Sequence, residues 1–340
     1  MPLHPFDPPR GRFERLIIDS ESLEGNLLGD PTSRVIDVYL PDGVTADSPL
    51  FVALAPFTSG GQKLHGWQSY AETLPQRLDR LIAEKKMGPV ALVMPDGFTS
   101  LGGNQYIDSL AMGMWESFLI DEALPLIEST LELEGGAARR AVFGKSSGGY
   151  AAMIYGMRRA KDWGAIACQS GDMGFGMTYL PDFPKVLTAL QPYGGDPAAF
   201  IDALKESDKI SGDKMWIQLL LAMAASYDPD PEARYGVRLP VDATSCETIP
   251  ERWQAWLRHD PLELAKEDGC LEQLRSLKGV WVDCGAQDQF MLQYPARQLS
   301  RRLREAKVEH VFEEFEGTHS SIDHRYDRTM PFLYKALSAG

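Results

Sequence analysis

The stretch "RAVFGKSSGGYAAMIYGMRRA", residues 140–160, passes from a short apolar run through two adjacent serines set among glycines into a run of helix formers. A strand that stops at Gly-x-Ser-x-Gly and turns at once into a helix must hold the serine in a sharp, strained corner, and small neighbours let strand and helix close up. The hydroxyl then stands clear of the backbone. Only Ser146 fits, with Gly144 and Gly148 two residues to either side; centring on Ser147 would require glycine where Lys145 stands. Ser146 is therefore the candidate nucleophile, and the corner implies a sheet below it.

Outward from that corner, short apolar or β-branched runs recur between turn residues: "RLIIDS", "RVIDVYL", "LFVALAP", "VALVMPDG", "RAVFGKS", "WGAIACQSG", "GVWVDCG" and "VEHVFEEFEG". The first two lie close enough to pair antiparallel. Helix-like stretches such as "YAETLPQRLDRLIAEKK" and "MWESFLIDEALPLIEST" separate later ones, as parallel strands require. The expected class is α/β, with a mostly parallel central sheet flanked by helices in one domain spanning 1–340. From about 173 to 262 the strand rhythm stops, yet the segment is rich in tryptophan, methionine and tyrosine. A structureless loop of that length is improbable in a compact domain, so 173–262 is expected to be an inserted, largely helical cap.

The chain has 34 basic and 48 acidic side chains and a formal net charge of −14. That balance disfavours nucleic acid and anionic membranes as partners. The longest apolar run, Met215 to Ala225, falls short of the ~20 residues of a membrane helix. The proline-rich start shows no signal-peptide pattern, and Cys168, Cys246, Cys270 and Cys284 lack paired C-x-x-C spacing. A cytoplasmic protein with reduced cysteines is expected. A homo-oligomer stays open.

A serine hydroxyl becomes nucleophilic when a base removes its proton, and that base is usually a histidine oriented by a carboxylate. Of six histidines, His319 in "FEGTHSSID" directly follows the last strand and so lies on a loop at the edge where Ser146 emerges; His324 ranks second. In "GVWVDCGAQDQF", Asp283 ends a strand and Asp288 lies in the loop beyond, free to reach a neighbouring loop; Asp288 is preferred. The oxyanion formed on attack needs aimed donors. Ser147 supplies the amide after the nucleophile, at a helix start whose dipole favours negative charge. A second amide is expected from Phe57 or Thr58, because Pro56 has none to give.

These residues resemble the esterase D-like, "putative esterase" family of α/β-hydrolases. The resemblance rests on "SESLEGN" followed by "RVIDVYLPDG", on "VMPDG", "WESFLIDEALPLIE", "FGKSSGGYAA", "VDCGAQDQF" and "GTHSS". It implies the α/β-hydrolase fold, ester hydrolysis without cofactors, and Ser146, Asp288 and His319 as catalytic residues, in the chain order of that fold. One departure is Ala55-Pro56, where many members carry His-Gly after the third strand.

The activity expected is that of a serine carboxylesterase acting on a small-molecule ester through an acyl-enzyme. The rivals are an acyltransferase using the same residues and a non-catalytic binding protein on the same scaffold. Trp216 and Trp253 of the cap are candidate substrate contacts, as are Tyr106 in "GGNQYIDS" and His65 in "QKLHGW".

Overall fold

The computed structural model describes residues 4–338. Eight strands form its main sheet: β1 (Arg12–Asp19), β2 (Ser33–Leu40), β3 (Leu50–Leu54), β4 (Ala91–Pro95), β5 (Arg140–Lys145), β6 (Ala165–Gln169), β7 (Gly279–Gly285) and β8 (Val311–Phe315). Their order across the sheet is β1-β2-β4-β3-β5-β6-β7-β8. β2 meets both β1 and β4 antiparallel, and every pairing from β4 through β8 is parallel. The eight runs singled out in the sequence are these strands. Every residue of β3, β4, β6 and β7 is buried, which is why they read as continuous apolar runs, whereas the edge strand β1 is mostly exposed or half-buried.

Helices cover both faces. α1 (Leu74–Ala83) starts at Thr73, whose hydroxyl accepts from the Gln76 amide while the Gln76 side chain returns to the Thr73 N–H, a reciprocal cap. The other principal helices are α2 (Leu124–Thr130), α3 (Ser147–Arg158), α4 (Gly212–Tyr227), α5 (Pro250–Leu257), α6 (Gln293–Glu305) and α7 (Tyr326–Ser338). α1 and α7 close one face over Phe51, Phe143 and Trp281. α3 closes the other over Val142, Ile166 and Val280.

Between β6 and β7 the chain builds helices and adds no strand to the main sheet. These helices share the core of α3 rather than enclosing one of their own. The rings of Tyr150 on α3 and Tyr227 on α4 lie 6.0 Å apart, with Phe175 4.8 Å and Trp256 5.2 Å from Tyr227. Buried Asp260 fastens both ends of the segment, its carboxylate accepting from the amides of Gly174 (2.7 Å), Phe175 (2.7 Å) and Leu262 (2.9 Å). Among the described residues no helix is long and apolar enough to cross a membrane.

Candidate active site

The parallel register sets the carboxyl ends of neighbouring strands side by side: Leu54 beside Gly144, Lys145 beside Gln169, Gln169 beside Asp283 and Gly285 beside Phe315. The chain beyond each end carries polar side chains to one sheet edge, the place where open α/β sheets bind ligands. Phe57 and Thr58 follow β3, Ser146 follows β5, Asp172 follows β6, Phe290 follows β7 and His319 follows β8, and all six line one cavity of about 330 Å³.

Ser146 has φ 56° and ψ −122°, a conformation that costs a non-glycine residue ~1–3 kcal/mol and persists only under external restraint. The restraint is visible. Its N–H donates to the Gln169 carbonyl at 2.9 Å, and its own carbonyl accepts the Tyr150 amide at 2.7 Å to start α3. A Cβ on Gly144 would fall 2.4 Å from the Leu54 carbonyl oxygen, and one on Gly148 only 2.1 Å from the same atom. Both positions must be glycine for strand and helix to meet at that angle.

His319 is buried, and its Nδ1 lies 2.8 Å from Oδ2 of Asp288. The other oxygen of Asp288 accepts the Phe290 amide at 2.9 Å, so the carboxylate is fixed at both ends. The His319 amide donates to Gln289 Oε1 at 2.9 Å, and the Phe290 ring stands edge-on to the imidazole at 4.8 Å. With Nδ1 engaged, Nε2 is the ring nitrogen left for the cavity. No hydrogen bond joins Ser146 to His319 among the described residues; contacts of this kind often tighten only around a substrate.

Ser147 opens α3, and its own hydroxyl is buried without a partner. After β3, the Phe57 carbonyl accepts the Gly103 amide at 2.7 Å, while no hydrogen bond among the described residues occupies the amides of Phe57 or Thr58.

The family model described as "Putative esterase" matches residues 31–327. The chain belongs to the putative esterase family. An endo-1,4-beta-xylanase/feruloyl esterase of Xylanibacter ruminicola is 29% identical over 124 residues, which are 35% of this chain and 16% of that protein. The chain thus matches less than a fifth of that relative's length. The structure of a ferulic acid esterase superposes with a TM-score of 0.61 at 18% identity, covering 96% of this chain and 99% of that one. An S-formylglutathione hydrolase from Agrobacterium tumefaciens gives 0.58 at 14% identity, covering 97% of each. These neighbours share the α/β-hydrolase fold.

Within this esterase fold the remaining candidates separate. Trp216 lines the cavity, stacked on Phe290 at 5.1 Å and 10°, with its indole N–H donating to Asp182 at 2.9 Å. Trp253 does not line it: the ring tilts against fully buried Trp256 at 5.9 Å and belongs to the packing of the helical segment. His65 is also absent from the lining, because the short helix Gly61–His65 carries it to β2, where Nε2 lies 2.9 Å from Asp37. Tyr106 is buried, and its hydroxyl donates to the Ala55 carbonyl at 3.1 Å, tying two loops together rather than meeting a ligand.

Of the runners-up, His324 is exposed, with its ring edge toward Phe315. Asp283 is buried and pairs with the Arg325 guanidinium at 3.0 Å. Burial pushes its carboxyl up to about 6, with Arg325 pulling the other way. Among the cavity residues with no place among the sequence candidates are two of opposite charge type: Lys145, whose amine pKa is lowered by burial, and Asp172 in "SGDMG", whose carboxyl pKa is raised by burial. Asp172's position just past the end of β6 was the signal available for it.

Proposed function

We propose that this member of the putative esterase family is a serine carboxylesterase. Ser146 Oγ attacks the acyl carbon, His319 Nε2 takes its proton and returns it to the leaving alcohol, and Asp288 holds the imidazole in the required tautomer. Water, deprotonated by the same imidazole, then cleaves the acyl-enzyme and restores the serine. The amide of Ser147, with that of Phe57 or Thr58, receives the developing oxyanion. The observation that carries this reading is the strained Ser146 corner opening onto the same cavity as the Asp288-oriented His319.

The substrate is taken to be a small-molecule ester in the cytoplasm, with no nucleic acid or membrane partner, since a net charge of −14 opposes anionic surfaces. The parallel Trp216 and Phe290 rings make a flat wall that suits a planar acyl group. Together with the feruloyl esterase relative, that wall makes feruloyl esters the first class to screen. Ser146→Ala should reduce p-nitrophenyl ester turnover by roughly 10⁴-fold or more. Full turnover by Ser146→Ala refutes the proposal. Product analysis with added alcohols separates hydrolysis from acyl transfer.

A further inference from the structure

A second cavity, of about 210 Å³, adjoins the one that holds Ser146, and Pro56, Thr58 and Lys145 line both. The two differ in chemistry. Met215, Trp216, Leu219, Phe290 and Leu292 give the first a largely apolar wall, whereas the charged residues lining the second are Lys63, Arg77 and Lys145 against Glu72 and Asp323. Bases outnumber acids there, in a chain whose net charge is −14.

The five charges stand in different conditions. Arg77 pairs with Asp327 and lies 3.5 Å from Glu72, which also accepts from Arg80 at 2.6 Å. Lys63 and Asp323 are exposed, so water meets their charge. Lys145 is half-buried at the end of β5, directly before Ser146, and its ammonium makes no ion pair or hydrogen bond among the described residues. The charges of Asp323 and Asp288 reach it, but burial outweighs both. Asp288 is already engaged by His319 and the Phe290 amide. A partly desolvated ammonium so placed gains from one further acceptor that carries charge.

An ester held at Ser146 sends its acyl and alcohol parts in different directions from the carbonyl carbon. In the proposed reaction the Trp216 and Phe290 wall takes a planar acyl group, which directs the alcohol past Lys145 into the second cavity. A neutral alcohol leaves the ammonium short of a charged partner, and a cationic one is repelled. A carboxylate, which only accepts, matches a group that only donates.

We propose that the second cavity is the alcohol subsite and that Lys145 selects esters whose alcohol part carries a carboxylate. The carboxylate accepts from Lys145 Nζ, and exposed Lys63 adds positive charge on the same lining. Turnover of such an ester rests on the serine esterase reading; binding of it does not.

The test uses benzoate esters of short hydroxyalkanoic acids, each matched with the primary amide of the same alcohol, which has nearly the same shape and no charge. In at least one pair the unaltered enzyme should favour the carboxylate by about tenfold in kcat/KM, the effect of one charge-assisted hydrogen bond. That preference should shrink as added salt screens it. Lys145→Met should bring the ratio near one, and Lys145→Arg should keep most of it. Should Lys145→Met not fold, as judged by circular dichroism, Lys145→Gln carries the same test. The proposal is overturned by a ratio near one for every pair in the unaltered enzyme, by a ratio that the substitution leaves unchanged, or by a preference seen only when the carboxylate is moved to the acyl part. Equilibrium binding of the same pairs to Ser146→Ala separates the two readings. Carboxylate preference in binding without wild-type turnover sinks the esterase mechanism and leaves Lys145 its role; turnover without preference does the reverse.

Discussion

The loops at the carboxyl edge of the sheet and the helices between β6 and β7 meet at one cavity, yet they are built by different rules. At the sheet edge, strand register and backbone corners place Ser146, Asp288 and His319: main-chain groups hold Ser146 and Asp288, and the His319 amide is held by the Gln289 side chain from the neighbouring loop. In the helical segment nothing local decides which side chains face the cavity. Trp216 reaches it and Trp253 does not, because Trp253 packs on Trp256 in the core shared with α3. The contrast separates the residues of the proposed chemistry, held by backbone geometry, from those of the proposed substrate wall, held by packing.

The sharpest way to break that contrast is to damage the packing alone. Trp256→Ala empties the centre of the aromatic cluster and should cost about 3–5 kcal/mol of stability. Since the segment shares the core of α3, calorimetry should show one lowered transition for the whole chain. A separate early transition for the segment would mean that the two regions are independent after all.

The second prediction concerns His259, stacked on Tyr227 with Nδ1 buried and unpartnered. Burial, reinforced by Arg158 and Arg258, pushes its imidazole down to about 4. The folded state therefore binds this proton less readily than the unfolded chain, whose histidine titrates near ~6.5. Stability from neutral His259 is complete above that value and is lost as pH falls toward 4, by up to about 3 kcal/mol. Denaturant titrations at pH 7 and 4.5 should show His259→Gln losing less on acidification than the unaltered protein; equal losses would remove His259 from the account.

The smallest expected effect sharpens the division itself. Trp216→Ala removes the wall stacked on Phe290 and should raise KM for aromatic esters roughly tenfold, in line with the ~0.5–1.5 kcal/mol of an aromatic pair beyond its buried area. kcat should change little. A matching fall in kcat would show that the wall also shapes the reacting geometry.

How legible each region was in the sequence follows the same division. All eight strands could be read, because buried parallel strands are continuous apolar runs between turn residues. Ser146 could be singled out because its corner admits only glycine at 144 and 148. The candidates His65 and Tyr106 went astray for one reason. Each follows a strand toward the same sheet edge, but its direction is set by a distant partner, Asp37 for His65 and the Ala55 carbonyl for Tyr106. Asp172 was passed over because a single aspartate after "SG" has no local pattern; it becomes notable only beside Gln105, 67 positions earlier.

By itself, then, the sequence determined the strands, their crossovers and the strained turn at 146, because those depend on side-chain periodicity and on φ/ψ limits acting over a few residues. Which aromatic rings and which acid line the cavity was decided only in three dimensions. α4 is apolar around almost its whole circumference, so periodicity could not choose a face; contacts such as Trp216 with Phe290 and Met223 with Gln105 chose it.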